Sequence, residues 1–212
     1  MSDARLIYVM DPLCSWCWGF APVLGALVEQ AATLGVGVEL RVGGLRREQA
    51  SLTPAQRVRI LGYWQAVNAA SGQLFDFQRG LPPGFVYDTE PACRALVTAR
   101  LLDERRVWAL LQAIQQAFYQ QGEDLTQARV LLALAEQVGF SRRAFAEHFD
   151  SPALHQATEA DFAWVRDLGI SGFPTLLGAG ASGYALLTNG YQPLEQLQPL
   201  LQRWLAHGAV HA

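Results

Sequence analysis

The chain has 212 residues, half of them hydrophobic and a tenth aromatic, enough for one well-cored domain, or one domain carrying a large insertion, without disulfide staples. Its 16 basic residues are all arginine and its 19 acidic residues leave a formal net charge of −3. That balance argues against a nucleic-acid or basic membrane-surface binder, and the lack of lysine excludes Schiff-base chemistry.

In chain order, "RLIYVM" (residues 5–10) reads as a buried strand stopped by Asp11-Pro12. No leader is read ahead of it: "MSDARLIYVMDP" begins with an acid and has too short an apolar run for a signal peptide, so a cytoplasmic protein is expected. From Ser15 to about Leu34 the apolar residues Phe20, Val23, Leu24, Leu27, Val28 and Ala31 recur on one helical face. Val36, Val38, Leu40 and Val42 then alternate as a strand that ends at Gly43-Gly44. Strand, helix, strand over so short a stretch predicts a parallel pair joined by a right-handed crossover.

Helix dominates from there to about residue 168. Thr53-Pro54, Thr89 with Glu90-Pro91, Ser141 and Ser151 are read as helix starts, and residues 75–91 as a loop rich in glycine and proline. The pattern then changes again. "GFPTLLG" and "GYALLTNG" predict an antiparallel hairpin, and "QPLEQLQPLLQRWLAHG" a last helix with Leu194, Leu197, Leu200, Leu201 and Leu205 inward. With the helical block set aside, the order is βαβ…αββα, that of a thioredoxin-like domain. The expected division is a thioredoxin-like domain from residues 1–46 and 152–212 around an inserted helical domain, 47–151.

Cys14 and Cys17, in "DPLCSWCWGF", carry the chemistry. Cys14 stands at the mouth of the first helix, where unpaired N–H groups and the positive end of the dipole favour a thiolate. That thiolate is expected to accept hydrogen bonds from first-turn amides, Cys17 among them. Cys17, one turn further in, is expected to be more buried and to resolve the mixed disulfide. As zinc ligands the pair lacks a second half: Cys93 stands alone, His148 and His155 are seven apart, and His207 and His211 lie in the tail. Pro22, five residues after Cys17, sits inside the predicted helix at a cost of about 3 kcal/mol. Pro174, in "GISGFPTLL", precedes a strand after a small-residue turn.

With those motifs the chain resembles the DsbA-like branch of the thioredoxin superfamily, in particular a group of small cytosolic proteins described as disulfide isomerases. The likeness runs through "YVMDPLCSWCWGFAP", "EPACRALVTA", "AIQQAFYQQGEDLT" and "GFPTLLGAGASGYALLTNGYQP". It implies an α/β thioredoxin-like fold with a large all-helical insertion, Cys14 as attacking thiol, Cys17 as resolving thiol and Pro174 as a cis-proline. Trp16, Phe173 and Thr175 are expected to meet the substrate, with Tyr191 a further approach to the site. Ser15-Trp16 departs from both the Gly-Pro and the Pro-His of better-known members, which points to a couple less oxidising than the periplasmic one. Asp11 and Glu39 are both candidates for a buried proton acceptor. Trp18 reads as an interdomain packing residue, and Cys93 as a buried small hydrophobe or a third redox thiol.

The expected function is thiol–disulfide exchange with protein or small-molecule thiols and disulfides. No cofactor is expected to be tightly bound, glutathione can serve as redox partner, and neither nucleic acid nor membrane is a partner. A glutathione-dependent transferase or isomerase of the kappa or hydroxychromene carboxylate isomerase type, and a thiol-based metal binder or chaperone, are the alternatives.

Overall fold

The computed structural model describes residues 4–181 and 183–208. Strands β1 (Arg5–Met10), β2 (Gly37–Val42), β5 (Thr175–Gly180) and β6 (Gly183–Asn189) form one sheet in the order β2-β1-β5-β6. β1 runs parallel to β2, with Arg5 beside Gly37 and Met10 beside Val42, and antiparallel to β5. From Leu6 on, β1 is buried without break because both faces of the sheet are covered. Leu6, Tyr8 and Met10 face the main core, and Ile7 and Val9 a smaller one with Val165, Leu177 and Ala179.

The crossover from β1 to β2 is helix α1 (Ser15–Thr33). Helix α8 (Leu194–Gly208) packs against α1, β5 and β6, burying Leu197 and Leu201. It comes so close that a Cβ on Gly178 would stand 2.3 Å from the Trp204 ring. Helix α7 (Pro152–Asp167) is capped by the Ser151 side chain, which accepts from the Leu154 N–H.

Between β2 and α7 lie α2 (Pro54–Ser71), α3 (Glu90–Asp103), a 3-10 turn (Glu104–Arg106), α4 (Val107–Tyr119), α5 (Ala128–Gln137) and α6 (Arg142–Phe149). α3 is buried almost all round, through Ala92, Cys93, Ala95, Leu96, Val97 and Ala99, and contacts α4, α5, α6, α7 and β2. Its Arg100 meets Arg41 of β2 on the buried carboxylate of Asp161 in α7, each at 2.7 Å, so one ion-pair cluster ties the helical block to the sheet layer.

One local expectation is corrected. Residues 86–88, read as loop, instead pair with residues 47–51, ahead of the Thr53 helix start, in an antiparallel ribbon, β3 (Arg47–Ser51) with β4 (Val86–Asp88). "REQAS" lacks the apolar alternation that announces a strand, and only its partner defines it. Thr89 stands at the N-cap of α3 as expected, but its hydroxyl makes no cap bond and donates instead to Asp11. No described helix is long and apolar enough to cross a membrane.

Candidate active site

Asp11 ends β1 and shapes the turn that follows. Its carboxylate accepts the Leu13 N–H at 2.9 Å and its carbonyl the Cys14 N–H at 3.1 Å. This turn sets Cys14 at the N-cap of α1 in extended backbone, φ −81° and ψ 116°. The Cys14 carbonyl then takes the N–H groups of Cys17 and Trp18, at 3.0 and 3.1 Å. Here a sequence expectation fails: the Cys14 sulfur makes no capping bond to the first-turn amides, because the carbonyl of the same residue engages two of them. Its thiol instead crosses the site to the carbonyl of Phe173, at 3.6 Å.

Phe173 precedes a cis bond to Pro174. The Pro174 carbonyl is taken by the Gly190 N–H at 2.7 Å, which closes the end of the β5–β6 hairpin. Phe173 is held from behind by a gap where Gly43 has no side chain; a Cβ there would stand 2.0 Å from the tip of the ring. Gly43→Val therefore displaces the far end of a rotatable ring at the site wall. The expected result is weakened exchange activity with little loss of melting temperature, measured on the same preparation.

The two cysteines differ as expected: Cys14 is 7% exposed and Cys17 not at all. Both are free thiols. Burial, followed by its hydrogen bond with Cys14, raises the Cys17 thiol well above the ordinary range. Besides Cys14, two groups face its sulfur: the Asp11 backbone N–H and the phenol of Tyr8, which is itself pushed up by burial and by Cys17. Of the two carboxylates considered, Asp11 is the buried one. Glu39 sits at the sheet edge between Arg5 and Arg41. Asp11 is fully enclosed, and burial raises its carboxyl despite donors from Leu45, Thr89, Leu13 and Cys93. Tyr87 closes the floor, donating to the Leu13 carbonyl at 2.5 Å.

A cavity of about 270 Å³ opens over Cys14, walled by Trp16, Arg46, Trp64, Tyr87 and Phe173. Trp16 is half-buried, its ring 5.6 Å from that of Tyr191, whose hydroxyl reaches the Ala70 carbonyl. Thr175 is not on this wall. It is 1% exposed, and its hydroxyl is committed to the Gly172 carbonyl and Asn189, because the first residue of β5 already pairs on both edges of its strand. Trp18 faces away, stacked on Tyr119 at 5.8 Å with its indole N–H on the Leu74 carbonyl.

Pro22 lies inside α1, and its missing N–H would orphan the Trp18 carbonyl one turn back. Gln73 supplies the substitute, donating to that carbonyl at 2.9 Å. The helical block thus seals the defect in the helix that carries both cysteines. Among the described residues no group of three or more His, Cys, Asp or Glu is placed to hold a metal; His211 and the side chain of His207 lie outside them. Sequence reasoning passed over Tyr8, Tyr87 and Gln73, and took Thr89 for a helix start only. None carries a motif, and only the Pro22 defect announced that a distant donor was needed.

Comparison with known proteins gives consistent matches. The family model of the DSBA-like thioredoxin domain matches residues 5–202. A candidate protein disulfide isomerase from Nitrosomonas europaea is 40% identical, with a TM-score of 0.88 and coverage of 97% of this chain and 99% of that one. The cytosolic disulfide reductase DsbM from Pseudomonas aeruginosa, in a structure with GSH, is 27% identical, with a TM-score of 0.77 and coverage of 95% and 99%. Among curated sequences, the ClpXP adapter protein SpxH of Bacillus subtilis is 25% identical over 175 residues, 79% of this chain and 55% of that protein. The chain thus spans about half the length of the curated relatives it matches.

Proposed function

The chain belongs to the family of DSBA-like thioredoxin domains, and from that premise we propose that it is a thiol–disulfide oxidoreductase with Cys14 and Cys17 as its exchanging couple and Phe173-Pro174 as the substrate platform. The single observation that carries this reading is the approach of the Cys14 sulfur to the Phe173 carbonyl beside a cis-proline, across 159 residues of sequence.

Cys14 attacks as thiolate one sulfur of a substrate disulfide. The substrate S–S bond breaks, a mixed disulfide forms on Cys14, and the first substrate thiolate leaves. An extended substrate segment lies against the Phe173 backbone, with Trp16 and the Phe173 ring bounding it. Cys17 then gives its proton to the Asp11 carboxylate and attacks the Cys14 sulfur. The second substrate thiolate leaves and takes up a proton, so two electrons pass from the dithiol to the substrate. Burial of both Cys17 and Asp11 supports this pairing: neither favours charge, and one proton moved between them leaves one charge in place.

The partners are protein or small-molecule thiols and disulfides, with glutathione as the small partner. The reading draws on the neighbouring structure described with GSH, and the cytoplasm on the same neighbour's description as cytosolic. The direction of electron flow follows from the potential of the couple at equilibrium with glutathione. The test is trapping. Cys17→Ser should accumulate a glutathione adduct on Cys14 when treated with glutathione disulfide, seen by intact mass and peptide mapping. An adduct on Cys93, or none at all, would refute the assignment.

A further inference from the structure

The exchange reaction leaves one thiol without a use. Cys93 on α3 is fully buried, which removes it from any role as a surface sensor. Its sulfur receives the Gly44 N–H, and its S–H points to Asp11 Oδ2 at 3.5 Å. The same oxygen accepts the Leu45 N–H at 2.7 Å and the Thr89 hydroxyl at 2.6 Å, while Oδ1 accepts only the Leu13 N–H at 2.9 Å. A carboxylate offers about four lone-pair sites, so Oδ2 is fully loaded and Oδ1 keeps room for a proton.

We propose that Cys93 is a positioning residue rather than an exchanging thiol: with Thr89, it donates to Oδ2 and so keeps Asp11 ionised and ready to take the Cys17 proton. This rests on the role given to Asp11 above. The acids whose charge is felt at the carboxylate are Cys17 from α1, Tyr87 from β4, Cys93 from α3 and Tyr119 from α4, and of these Cys93 hydrogen-bonds it. Beyond them, Arg46 lies over the Tyr87 ring at 5.0 Å and Glu90 acts on Cys93. Among the described residues no cation pairs with it, so the ionised form depends on its donors. Burial and the neighbouring Asp11 both raise the Cys93 thiol, so it remains a donor throughout.

In the resolving step the Cys17 proton passes to Asp11. The sulfur electron pair forms the bond to Cys14, the bond from Cys14 to the substrate breaks, and the leaving thiolate is protonated. No outside oxidant or reductant is involved.

Ellman's reagent isolates this step. Attack by Cys14 releases one 5-thio-2-nitrobenzoate and leaves a second on Cys14, which Cys17 then expels. The rate of that second release should rise with pH as Asp11 loses its proton. Removing a donor makes the carboxyl hold its proton more firmly, so Cys93→Ala should move the rising limb up by about half a pH unit. Thr89→Val, which removes the shorter bond, should move it the same way. Cys93→Ser supplies a stronger O–H donor and should move it down. A packing role alone would not give opposite shifts for Ala and Ser. Coincident profiles, or shifts of one sign for both Cys93 variants, would overturn the proposal. No second release from the unsubstituted protein would overturn the two-cysteine reading itself, and this inference with it.

Discussion

Cys14→Ser should bring dithiothreitol-driven reduction of insulin down to the rate without protein. Exchange requires a sulfur that attacks as an anion and then leaves again. A serine hydroxyl is not ionised at neutral pH and forms no S–S bond. Cys17 cannot stand in, because it is wholly enclosed and its thiol is pushed well above the ordinary range. The replaced atom is 7% exposed and its hydrogen bonds, to the Phe173 carbonyl and to Cys17, are ones a hydroxyl can also make, so melting temperature should hardly change. Insulin reduction at the unsubstituted rate by a folded Cys14→Ser protein would remove the basis for the proposed mechanism.

Trp64→Ala should be the most damaging single change to stability. Trp64 is among the largest fully buried side chains, and its ring meets Phe75, Phe118 and Tyr119 at 5.1–5.7 Å between centroids. Gly80 lies directly on it: a Cβ there would come within 2.3 Å of the indole. Deleting so large a core side chain costs about 3–5 kcal/mol. For a chain of this size that corresponds to a fall of roughly 6–20 °C in melting temperature. Tyr63, the next residue and a neighbour on the same cavity wall, is half exposed, and Tyr63→Ala should stay within about 0.5 kcal/mol. Thermal unfolding of the pair decides it. Equal, small shifts would show that the aromatic cluster does not hold the helical block to the site. Because Trp64 also walls the cavity over Cys14, its loss should weaken substrate binding wherever the variant stays folded.

Much of the fold was legible in the residues themselves. The apolar run of β1, the periodicity of α1, and the Ser141 and Ser151 caps are local patterns, and local patterns encode their own period and ends. The two-residue gap between Cys14 and Cys17, placed where a strand hands over to a helix, already pointed to Cys17 as the more enclosed of the two sulfurs. Pro174 ahead of a strand, and Pro22 within a helix, are covalent constraints that survive any environment.

The rest needed three dimensions, because it depends on which groups are brought together from far apart. Glu39 and Asp11 are equal in the sequence; the sheet edge gives Glu39 two arginines, while the end of β1 buries Asp11 beneath α3. Cys93 meets Asp11 across 82 residues and Gln73 meets Trp18 across 55, and no periodicity records either distance. The β3–β4 ribbon exists only as a pair. The hydroxyl of Thr175 turns from the cavity for a related reason: its partners, the Gly172 carbonyl and the Asn189 side chain, belong to neighbours rather than to residue 175. What the chain determines by itself is where reactive atoms sit along it; their exposure, partners and readiness to give or take a proton are properties of the packed molecule, because desolvation and hydrogen bonding arise only from what surrounds them.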